Sequence, residues 1–85
     1  MDLRDLLLRI AERELSGIAY NLLVDVLYLT EDRKGKIEEF LNELIKSRIS
    51  NELFDFFLSL MVHIEDTNFF NLLIIDYVMR KLYPH

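Results

Sequence analysis

The chain has 85 residues, enough for one modest hydrophobic core and too few for two independent ones. Fifteen acids against ten bases leave a net charge of −5, and 52% of the residues are apolar, ten of them Phe or Tyr. The absence of Cys excludes a disulfide scaffold and a thiolate metal site, and two Gly with one Pro argue against β-hairpins and phosphate-cradling glycine loops. The expectation is a single all-α domain over residues 1–85, a compact four-helix bundle with helices near 2–29, 33–47, 51–64 and 68–83. The third is expected at its centre.

The first predicted helix carries Leu3, Leu7, Ile10, Ala11, Leu15, Ile18, Leu22, Val26 and Leu29 at steps of mostly three and four, which puts them on one side. Beyond Gly17 the pattern changes. Tyr20, Leu23 and Leu27 occupy the formerly polar side, and Asn21 and Asp25 enter the apolar one. Gly17 marks a kink, a close helix contact or a break, and one bent helix over 2–29 is the reading preferred here.

Thr30-Glu31-Asp32 offers a cap with acids in the first turn, and Gly35 weakens the turn that follows. The second helix then presents Ile37, Phe40, Leu41, Leu44 and Ile45 on one face, with Glu39, Asn42, Glu43 and Lys46 opposite. Ser47–Asn51 is a short turn, with Ser50 as the next cap.

In the third helix Glu52, Asp55, Ser59, His63 and Asp66 fall within an arc of roughly 80° at 100° per residue. The remainder is Leu, Phe, Met, Val and Ile, the pattern of a helix surrounded by neighbours. After a cap region at Glu65–Asn68, the fourth helix projects as two apolar faces. Phe70, Leu73, Ile74 and Tyr77 form one. Leu72, Ile75, Met79 and Leu82 form the other, bordered by Asn71 on one side and by Asp76 and Arg80 on the other. Pro84 ends the pattern.

A four-helix monomer leaves that second strip wet, and contiguous exposed apolar surface on a protein marks an interaction site. Leu72, Ile75, Asp76, Met79, Arg80 and Leu82 are therefore the expected partner-binding residues. The expected function is that of a small acidic interaction or regulatory module, a homodimer or a subunit of a larger complex, with a protein as its partner. No apolar run approaches the roughly 20 residues of a membrane span, and a cytoplasmic location without a membrane partner is expected.

Other chemistries are weaker in the sequence. Ser59, His63 and the acids beside them lie along one helix, where side chains rarely converge on one reacting atom, so no residue is assigned a catalytic role. The same groups lack the Glu-x-x-His spacing of helical carboxylate metal centres, and no metal or cofactor is expected. At the C-terminus, Arg80 followed five places later by His85 resembles the Arg-x4-His motif of the HEPN superfamily of small helical proteins, some of them dimeric ribonucleases. That resemblance spans six residues and implies RNA cleavage by Arg80 and His85 meeting across a dimer. Read from the residues alone, the segment is a basic helix terminus that complements the helix dipole.

A helix-turn-helix DNA-binding regulator could use the Ser47–Asn51 turn with the third helix as its recognition element. Its exposed residues would include Glu52, Asp55 and Asp66, which repel phosphates. The bases Arg33, Lys34, Lys36, Lys46 and Arg48 are matched by Glu31, Asp32, Glu38, Glu39 and Glu43, which disfavours nucleic acid as a partner.

Overall fold

The side chain of Asp2 starts the first helix, accepting from the Arg4 backbone N–H at 2.9 Å. A computed structural model describes residues 2–29 and 31–83, and every regular element among them is α-helical. There are five such helices: α1 (Leu3–Glu14), α2 (Gly17–Tyr28), α3 (Arg33–Lys46), α4 (Asn51–Val62) and α5 (Thr67–Leu82).

Five helices replace the expected four because the long first helix is two. Leu15 and Ser16 are both extended, with ψ of 159° and 161°, and Ser16 caps α2 by accepting from Ala19 N–H at 3.2 Å. The two extended residues reset the helical phase. Leu23 and Leu27 consequently join Ala19 and Val26 in the core, while Ile18 and Leu29, expected on the buried side, are exposed. Gly17 is not a close contact: a Cβ added there would meet nothing within 4 Å.

The candidate cap residue Thr30 lies outside the described residues. Asp32 holds the N-cap position of α3 in left-handed backbone (φ 51°, ψ 39°) without a side-chain capping bond. A Cβ on Gly35 would stand 2.5 Å from Asp32 Oδ2, so glycine is what lets that carboxylate fold over the first turn.

The helices fall into two units, Met1–Ser50 and Asn51–His85. In the first, α2 packs against both α1 and α3. Leu7 and Ala11 of α1, with Phe40 and Leu44 of α3, are buried together with the inner face of α2. Arg4 lies 5.4 Å over the Tyr28 ring, joining the start of α1 to the end of α2. Lys36 reaches Asp25 at 3.8 Å and Glu39 at 3.4 Å. Ile45, expected on the buried face of its helix, is exposed in the last turn of α3.

The second unit is a helical hairpin. Asp66 caps α5 by accepting from Phe69 N–H at 3.1 Å, and Phe56 of α4 stacks on Tyr77 of α5 with ring centroids 4.2 Å apart. Lys81 near the end of α5 meets Glu52 at the start of α4 at 3.2 Å, so the helices run antiparallel. On α4, Leu53, Phe56, Phe57, Leu60 and Met61 are buried. Leu58 and Val62 are exposed beside the polar strip, so the expectation of a helix covered everywhere except that strip is corrected.

Candidate functional site

The stack of Tyr77 on Phe56 sets the rotation of α5 about its own axis. Phe70, Ile74 and Tyr77 are buried and Leu73 is half-buried, which turns the opposite side of the helix outward. On that side Leu72, Ile75, Met79 and Leu82 are 61%, 43%, 48% and 65% exposed. Asp76 and Arg80, one turn apart, pair at 3.1 Å along the edge of the strip and are themselves exposed. The six residues thus lie together on one helix: four apolar side chains in a row and one neutralised charge pair at their border.

Four of these six side chains are apolar. The surface's capacity is to bury apolar area, with the ion pair setting direction at the rim. Complete burial of a Leu, Ile or Met side chain contributes about 1.5–3 kcal/mol, and roughly half of each of these four is still in contact with solvent.

Ser59 and His63 are joined through the backbone. His63 packs its ring against Phe69, with centroids 4.2 Å apart, and its bond to Ser59 is from its backbone N–H to the Ser59 carbonyl at 3.1 Å. Among the described residues, no group of three His, Cys, Asp or Glu side chains is placed to hold a metal ion. A shallow cleft of about 140 Å³ between α4 and α5 is lined by Glu52, Asp55, Phe56, Ser59, Leu73 and Arg80. It combines two acids with one guanidinium already engaged by Asp76. His85 of the Arg-x4-His segment lies outside the described residues. The outward residues of α4 include Glu52, Asp55, Leu58 and Val62 and no base, a poor complement to nucleic-acid phosphates.

Two further exposed apolar features were not expected. Ile18 and Leu22 of α2 line an open groove of about 330 Å³ with Glu39, Asn42, Glu43 and Lys46 of α3. On α4, Leu58 and Val62 sit next to the acidic strip, and their place at the margin of the apolar arc was the available signal. Among the described residues no helix is long and apolar enough to cross a membrane. No protein-family model matches the chain, and neither does any curated protein or solved structure.

Proposed function

We propose that this protein is a small acidic, cytoplasmic interaction module that associates with a second copy of itself through the outer face of α5. The observation that carries the reading is the row Leu72, Ile75, Met79 and Leu82, four large apolar side chains exposed along one helix whose other face is already used in packing against α4. Single exposed apolar residues are ordinary on protein surfaces, whereas a contiguous row with a polar border has the make-up of an interface core with its rim. A second copy is the favoured occupant because a twofold axis lets one patch serve both partners, and the border charges Asp76 and Arg80 are of opposite sign and equal number.

Sedimentation velocity from low to high micromolar concentration tests this directly. The expected result is a shift from the mass of one chain toward that of two. A sedimentation coefficient that stays at the one-chain value throughout would overturn the self-association reading.

A further inference from the structure

We infer that the two copies pair with their α5 helices antiparallel, Leu72 of each against the partner's Leu82, so that Asp76 of each helix faces the partner's Arg80. This rests on the self-association proposed above and adds to it a direction and a register.

The strip advances by steps of three, four and three residues, the spacing of a coiled-coil seam. At 100° per residue its four members span an arc of about 80°. Asp76 and Arg80 lie on one flank of that arc, and Asn71 and Val78 lie on the other. Two such seams can meet in either direction, and the flanks decide between them.

In a parallel pair, each charged flank faces the partner's opposite flank, where Asn71 and Val78 offer no charge. In an antiparallel pair, charged flank meets charged flank. Setting Leu72 against the partner's Leu82 also sets Ile75 against the partner's Met79, and the centre of the seam then falls level with Tyr77. At a rise of 1.5 Å per residue, the partner's Arg80 lies about 3 Å along the axis from Asp76, closer in level than the 6 Å or so to Asp76's own Arg80. Along that flank the order is the partner's Arg80, Asp76, the partner's Asp76, Arg80. The two carboxylates also stand about 3 Å apart in level, but the two carboxylate–guanidinium contacts across the seam outnumber that one repulsive contact, and the four charges sum to zero. The antiparallel arrangement also places opposite ends of the two helix dipoles together. Charge placement of this kind selects orientation more than it adds affinity.

The chain has no Cys, so Leu72→Cys and Leu82→Cys each introduce a single thiol on an exposed position. The two variants, one lengthened by a short tag to separate the products by mass, are mixed, oxidised mildly and read by mass spectrometry without reductant. Circular dichroism confirms that each retains its helices. The expected result is a severalfold excess of the mixed 72–82 disulfide over either homodisulfide. In the antiparallel register the two copies of position 72 stand about 15 Å apart along the axis, beyond the roughly 4.4–6.8 Å between Cα atoms that a disulfide spans. Homodisulfides in excess, with the chain still sedimenting as a dimer, would overturn the antiparallel register and leave self-association standing. A dimer that yields no disulfide from any combination would overturn both the register and the α5 face. A monomer would overturn the self-association itself.

Discussion

Replacing Ile75 with Asp tests the α5 strip at its middle. Ile75 is 43% exposed, so of the 1.5–3 kcal/mol for complete burial of such a side chain about 1 kcal/mol remains to be gained per copy. Two copies bring about 2 kcal/mol to a dimer, which is roughly a 30-fold change in dissociation constant at 1.4 kcal/mol per tenfold. The new carboxylate would also lie beside Asp76, in a seam being removed from water, so 30-fold is the lower bound. The buried remainder of Ile75 costs the folded chain about 1–1.5 kcal/mol when lost, against a typical total of about 5–15 kcal/mol. Far-ultraviolet circular dichroism should therefore keep its helical signal while the dimer midpoint, measured by sedimentation equilibrium, moves at least 30-fold to higher concentration. An unchanged midpoint would refute the placement of Ile75 in the interface. Loss of the helical signal would show Ile75 to be a core residue.

The break between α1 and α2 makes two opposed expectations. Ser16→Ala removes the oxygen that accepts from Ala19 N–H and should lower stability in urea by about 1 kcal/mol. Gly17→Ala adds a methyl into open space at the first position of α2 and should raise it by about 0.5 kcal/mol. At the chain start, the Arg4 backbone N–H bonded to the Asp2 carboxylate holds its pKa below the usual aspartate range. A depressed acid contributes stability that is complete above its unfolded pKa and is lost as pH falls through the folded one. Amide exchange in the first turn of α1 should accordingly quicken only under strongly acidic conditions, and Asp2→Ala should abolish that pH dependence.

The starts of the last three helices were legible in the sequence. A cap region was visible at Glu65–Asn68, within which Asp66 caps α5, and the observed starts of α3, α4 and α5 lie within one residue of those expected. The two faces of α5 were legible because two apolar rows at fixed angular separation, Phe70, Leu73, Ile74 and Tyr77 against Leu72, Ile75, Met79 and Leu82, do not depend on knowing the neighbour. What stayed hidden depended on a choice between two nearly equal local solutions. Leu3 to Leu29 runs at helical spacing straight through Leu15 and Ser16, and the traces of the break were Gly17, the shift of apolar residues to Tyr20, Leu23 and Leu27, and the entry of Asn21 and Asp25 into the apolar side. Ser16 at the N-cap ends that continuity because its hydroxyl oxygen accepts from Ala19 N–H, a preference that spacing alone does not register. Leu58, Val62 and Ile45 are exposed, and exposure depends on where other helices pack, which helical period does not encode.

Salt separates the two forces assigned to the α5 interface. Each chain carries −5, so pairing brings like net charges together, a repulsion that counter-ions weaken over a Debye length of about 10 Å at 0.1 M. The opposite-sign contacts across the seam do not offset this fully, because Asp76 and Arg80 already hold each other at 3.1 Å within one helix. Pairing exchanges half of that interaction for an intermolecular one, and the ends of both side chains remain near water, where such pairs are worth less than about 1 kcal/mol. Apolar burial at Leu72, Ile75, Met79 and Leu82 does not weaken with added salt. The dimer dissociation constant should therefore fall as NaCl is raised from 0.05 to about 0.5 M, most steeply over the first part of that range where the Debye length shortens fastest. A constant that rises with salt would mean that charge attraction holds the copies together, and the apolar row would lose its role as the source of affinity.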